Sequence, residues 1–112
     1  MADLIFDIEE RKGLTILNIK GDIDASNVTQ LGKTLDELKD SGKINLIINL
    51  KDLGHINSRG FGILVHRYQV FSGMGGSIKI CSLSEHNMMI FNILGGTQIF
   101  NIYNSIEDII GK

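Results

Sequence analysis

Proline is absent from the 112 residues and cysteine occurs once. A single cysteine excludes an internal disulfide framework and a cysteine-based zinc site, and it fits a reducing, cytoplasmic setting. No apolar run approaches the ~18 residues of a membrane-spanning helix, so no membrane span is expected. The opening segment MADLIFDIEE lacks a basic head and a long apolar stretch, and so does not read as a secretory signal. An excess of one charge is missing too. Eleven Lys and Arg stand against 13 Asp and Glu, a formal charge of −2, and no basic stripe forms. Nothing therefore favours direct nucleic-acid binding. Glycine, by contrast, is abundant at 13 residues, so corners in this proline-free chain rest on glycine's φ freedom. The 43% hydrophobic and 21% charged content is ordinary for a globular chain and argues against disorder. The length fits one domain, residues 1–112, with one core.

Residues 4–10 alternate, with Leu4, Phe6 and Ile8 on one face, which is the period of a strand. Residues 11–13 form a turn and residues 14–20 a second strand, predicting a hairpin. Gly21-Asp22-Ile23-Asp24 breaks the pattern, and Asp24 or Ser26 is placed to cap a helix. The apolar stripe of that helix is Val28, Leu31, Leu35 and Leu38. Gly32 inside it costs about 1 kcal/mol relative to Ala, and Ser41-Gly42 ends it. Residues 44–50 are almost continuously apolar, as in a strand covered on both faces. A helix over 61–71, a glycine loop over 72–76 and a strand over 77–82 follow. Ser84 caps a helix over 85–94 that Gly95-Gly96 stops; its apolar residues nearly encircle it, so burial is extensive or a partner covers part. A short strand over 99–103 leads to a terminal helix bearing Ile106, Ile109 and Ile110, capped by Asn104 or Ser105. The order ββαβαβαβα predicts an α/β fold: a mixed, mostly parallel central sheet of four to five strands flanked by about four helices.

The polar junction Asn57-Ser58-Arg59-Gly60 joins the central strand to the second helix. Ser58 there has two readings. It is an N-cap, worth roughly 1 kcal/mol, or a regulated hydroxyl. A phosphate on it would carry about −1.5 to −2 charge beside the positive end of a helix dipole. The fold tolerates that charge, while a partner surface opposite must desolvate it. Arg59 opposes the dipole by about 0.3–1 kcal/mol. It either points into solvent or faces an anion, whether a phosphate on Ser58 or a partner's carboxylate. Along the helix, Phe61, Leu64, Val65, Tyr68 and Phe71 share a core face. Ile63, His66 and Val70 fall opposite, either as singly exposed side chains or as a small partner patch.

Other candidates carry less. Gly60 and Gly62 hint at a nucleotide loop, but Val65 stands where a dinucleotide fingerprint needs a small residue, and no Walker lysine is present. Asp22 and Asp24 read as a surface turn and cap before they read as metal ligands or acid–base carboxylates. Cys81 reads as a buried strand residue. His55, His66 and His86 show no ligand spacing along the chain. No catalytic set, metal site or cofactor is expected.

The run LIINLKDLGHINSRGFGILVHRY resembles the signature of the anti-sigma-factor antagonist family, also called the STAS domain. That signature is an apolar strand, an apolar-Asp-Ser-Ser/Thr-Gly-Leu/Phe-Gly turn, and a helix. Ile56, Ser58, Gly60, Phe61 and Gly62 match it. GDIDASN is similar to the family's glycine-acidic loop, and GGSIKICSLSEHNMMIFNILG to its later strand and helix, so the resemblance spans nearly all the chain. It implies a STAS-like mixed sheet, no enzymatic activity, and partner switching. The antagonist binds an anti-sigma factor that is also a serine kinase, the kinase phosphorylates the turn serine, and a serine phosphatase resets the system. Ser58 then stands at the phosphoacceptor position, and Asp22, Asp24, Asn57, Arg59, Gly60, Ile63, His66 and Val70 are the expected partner-binding residues. Three positions depart from the pattern: Asn57 replaces an Asp, Arg59 a Ser or Thr, and Gly96 an apolar residue. The alternative in the same fold is an accessory or scaffold subunit of a transporter or signalling complex without a phosphorylation switch. A small nucleotide binder or enzyme is the weakest reading.

Overall fold

The computed structural model describes residues 3–111. In order they form β1 (Ile5–Arg11), β2 (Leu14–Ile23), α1 (Val28–Asp40), β3 (Asn45–Asn49), β4 (Leu53–Ile56) and α2 (Ser58–Gly73). These are followed by β5 (Ser77–Cys81), α3 (Glu85–Ile93), α4 (Gly96–Ile99), β6 (Ile102–Tyr103) and α5 (Glu107–Ile110). The sheet runs β1-β2-β3-β5-β6, antiparallel only between β1 and β2. The mixed, mostly parallel sheet is thus as expected; the described residues form six strands and five helices, where the sequence predicts four to five strands and about four helices.

Two elements escape the periodicity. β4 is four residues, Leu-Gly-His-Ile, with both ends buried and the middle exposed. It pairs with the far end of β2, Asp22 opposite His55 and Ile23 opposite Ile56, after a bulge at Gly21/Asp22. The chain from β3 to β4 therefore runs along β2 in two pieces, broken by a turn at Lys51-Asp52. Cross-strand pairing, not local propensity, makes this a strand. The last strand, expected over 99–103, is only Ile102–Tyr103, and Ile99 instead closes the short helix α4.

The apolar run of β3 is buried on both faces. Leu46 and Ile48 join Leu17, Ile19, Ile78 and Ile80 beneath Leu31 and Leu35 of α1, Leu64 and Phe71 of α2, and Phe91 of α3. On the reverse face, Ile16, Ile47 and Cys81 lie under Ile106, Ile109 and Ile110 of the C-terminal segment. Burial pushes the Cys81 thiol up, which keeps it protonated.

Gly32 and Gly96 are among the glycines that mark close approaches. A Cβ at Gly32 would stand 3.0 Å from Arg67 Nη2 and 3.9 Å from Ile63 Cγ2. The glycine lets α1 and α2 meet, and Arg67 then forks onto Asp36 with Nε–Oδ1 at 3.0 Å and Nη2–Oδ2 at 3.1 Å. A Cβ at Gly96 would stand 2.7 Å from both the Phe61 and Phe91 rings. Those rings pack edge to face at 5.1 Å and fill the space that a side chain at Gly96 would need. Ile63 and Val70 do not lie on an open face: both are half-buried and pack against the main core.

Candidate functional site

β4 leaves the sheet at Asn57, whose N–H donates to Ile23 O at 3.1 Å. Asn57 has extended backbone (φ −81°, ψ 168°), and its Oδ1 accepts the Gly60 N–H at 2.8 Å. Asn57, not Ser58, is therefore the N-cap of α2, and the capping reading of Ser58 is corrected. A Cβ at Gly60 would lie 2.6 Å from Ile23 Cγ2, so the tight corner admits only glycine without rearrangement.

Ser58 is thereby left as the first residue of α2, exposed, with a hydroxyl that bonds to no described residue. The backbone N–H groups of Ser58 and Arg59 also have no partner among the described residues. These are two of the donors every helix leaves open at its start. Arg59 is exposed and forms no ion pair with a described residue, and no acidic side chain occupies the first turn. The mouth of this 16-residue helix is electropositive and open.

Asp22 and Asp24 come to the same end of the sheet, because Asp22 pairs with His55 and Ile23 with Ile56. Neither caps α1 through its side chain. The cap residue is Asn27, which braces the loop: its Oδ1 accepts the Asp24 N–H at 3.0 Å and its Nδ2 donates to Asp22 O at 2.7 Å. Asp24 accepts from the hydroxyl and N–H of Ser26, and these bonds hold its carboxyl below the usual range. Asp22 Oδ1 lies against Gly54. His66 sits two turns along α2, exposed, its Nδ1 accepting from Arg67 Nη1 at 3.1 Å.

The residues that sequence reasoning missed lie on the other side of Ser58. A hollow of about 340 Å³ is lined by His55, Asn57 and Ser58 on one wall and Ile90, Ile93 and Leu94 of the α3 segment on the other. Ile93 is 75% exposed and Met89 60%. The signal was present, since apolar residues encircle α3 and one helix face cannot bury them all. Only the fold shows that Ile93, with Ile90 and Leu94, flanks the serine. Among the described residues, no helix is long and apolar enough to cross a membrane, and no group of three or more metal-ligating side chains assembles.

The STAS-domain family model matches residues 6–109. The chain belongs to the STAS domain family. The anti-sigma-B factor antagonist of Bacillus subtilis (strain 168) is 32% identical over 96 residues, which are 86% of this chain and 87% of that protein. The same fold occurs in the crystal structure of an anti-sigma factor antagonist from Mycobacterium paratuberculosis, with TM-score 0.85 at 18% identity over 94% of this chain and 89% of that one. It occurs also in the Bacillus cell fate determinant SpoIIAA in its phosphorylated form, with TM-score 0.71 at 18% identity over 95% and 96% of the two chains. In this STAS domain, then, the β4–α2 corner gathers Asp22, Asp24, Asn57, Ser58, Arg59 and Gly60, while His66 lies farther along α2 and Ile63 and Val70 turn into the fold.

Proposed function

We propose that this STAS domain is a cytoplasmic anti-sigma-factor antagonist that works by partner switching. It binds an anti-sigma factor that is also a serine kinase, phosphorylation of Ser58 ends the binding, and a serine phosphatase restores it. The domain itself catalyses nothing and carries no cofactor. The observation that carries this reading is the Ser58 hydroxyl, exposed and without a partner among the described residues at the start of α2, where Asn57 supplies the cap. A kinase can reach such a group without unfolding anything.

A phosphate there meets two open N–H groups, the helix dipole and the Arg59 guanidinium. The dipole alone favours it by about 0.3–1 kcal/mol at an exposed site, so the domain stays folded. The neighbouring hollow and Ile93 supply apolar surface for a partner. Covering that surface while a dianion stands at its edge requires desolvating the dianion, which opposes docking. The contact surface on this reading is Asp22, Asp24, Asn57, Arg59 and Gly60, extended by Ile90, Ile93 and Leu94. The name of the Bacillus subtilis relative and the existence of SpoIIAA in a phosphorylated form support the same reading.

The test is incubation with the cognate kinase-type anti-sigma factor and ATP, followed by peptide mass spectrometry and co-purification. One phosphoryl group on the Ser58 peptide, with loss of the complex, is expected. Ser58→Ala stays bound in the presence of ATP. Absence of phosphate on Ser58 sinks the switch.

A further inference from the structure

Two imidazoles meet at the rim of the hollow. His55 Nδ1 on β4 and His86 Nε2 in the first turn of α3 are 2.9 Å apart, with ring centroids at 5.2 Å and planes inclined by 37°. They are 31 residues apart in sequence, so no spacing along the chain announces the pair. We infer that His55 and His86 form a two-imidazole site for a divalent transition-metal ion of the copper(II) or nickel(II) type.

The spacing is the first argument. Imidazole nitrogens bind such ions at about 2.0–2.1 Å, so two of them in adjacent, right-angled positions of a tetragonal shell stand about 2.9 Å apart. Tetrahedral zinc separates its ligands to about 3.3 Å at the same bond length. The pair holds that separation through its own hydrogen bond, so each ring must turn before both lone pairs converge on an ion.

The supports are the second argument. Asn87, next to His86, donates from Nδ2 to Leu53 O at 3.1 Å in a buried bond, and Leu53 is two residues before His55. Ser84 Oγ in turn accepts the Asn87 N–H at 3.1 Å. β4 is fixed to β2 by its register. The two backbones that carry the rings are thus clamped together, as a preorganised ligand pair needs.

The chemistry sets the class of ion. Without metal, one of the two facing nitrogens donates a hydrogen and the other accepts it. On binding, that proton moves through solvent to the far nitrogen of its own ring, and both facing nitrogens present lone pairs. No redox change is involved. No third His, Cys, Asp or Glu joins the pair among the described residues, so oxygen-seeking ions such as magnesium or calcium find no cage. The remaining coordination positions open to water, both rings being exposed. His55 also lines the hollow beside Ser58, so an ion here sets positive charge on its rim. The inference does not depend on Ser58 being modified.

The experiment is titration of the untagged chain with copper(II) chloride and nickel(II) chloride by calorimetry, with electron paramagnetic resonance of the copper form. One saturable equivalent and the hyperfine signature of two imidazole nitrogens are expected for the wild type and for His66→Ala. His55→Ala and His86→Gln, both at exposed positions, keep the native circular dichroism spectrum and lose the uptake. Absence of saturable uptake by the wild type overturns the inference, as does uptake retained in His55→Ala.

Discussion

Asn57 performs the capping that a serine at the next position would otherwise do, and this division of labour sets what each residue is for. Asn57→Ala is expected to lower stability by about 1 kcal/mol in chemical denaturation, the usual cost of a lost N-cap. Ser58→Ala is expected to stay within about 0.5 kcal/mol of wild type, as for other exposed substitutions. The reverse ranking would return the cap to Ser58 and remove the free hydroxyl. Gly96 is the second decisive residue. Its absent side chain is the space in which the Phe61 and Phe91 rings meet. Gly96→Ala therefore overpacks that contact and is expected to cost about 1–3 kcal/mol, measurable as a lowered denaturation midpoint. Phe91 is fully buried and Phe61 nearly so, which leaves little room to relax.

At the scale of elements, α2 is held by α1 on one side through the Arg67–Asp36 fork. Hydrogen bonding from Arg67, more than its charge, holds the Asp36 carboxyl below the ordinary range. The folded state thus binds this proton less readily than the unfolded state. The stabilisation is fully present above the unfolded carboxyl value of about 4 and is lost as acid takes the pH through the lower folded value. Because the Asp36 side chain is 44% exposed, solvent screens the pair, and the contribution stays below about 1 kcal/mol. Stability of wild type against Asp36→Asn, followed by urea melts from neutral pH downward, should differ by a constant amount until about pH 4 and then converge. A gap that widens with acid would contradict the assignment. β4 makes the complementary point: with only four residues, it exists because β2 continues past the end of β3 and offers it an edge.

For the whole molecule, the sheet separates two environments. One face carries the main core under α1, α2 and α3, and the other is closed by the C-terminal segment. Cys81 belongs to the second face and is fully buried. A thiol reagent is expected to label it only as the chain unfolds, and rapid labelling under native conditions would place that segment elsewhere. The Ser58 corner lies where β4, α2 and α3 converge, with apolar surface left uncovered beside it. Ile93→Asp tests that surface. Its thermal midpoint should match wild type because the side chain is 75% exposed, while capture of the cognate anti-sigma factor falls. Unchanged capture would move the docking surface away from α3.

The pattern of apolar residues along the chain was enough to determine the hairpin, the amphipathic helices, the doubly covered strand β3 and a serine at the entrance of α2. Each of these follows from local periodicity or from a turn chemistry that acts within a few residues. Tertiary structure alone decided the rest. Pairing across 32 to 33 residues of sequence made β4 a strand, packing against the core turned Ile63 and Val70 inward, and packing of α3 on β4 left Ile93 bare and brought His55 to His86. These contacts join residues distant in sequence, and which side chains they cover depends on the closed shape of the fold, to which no local pattern has access.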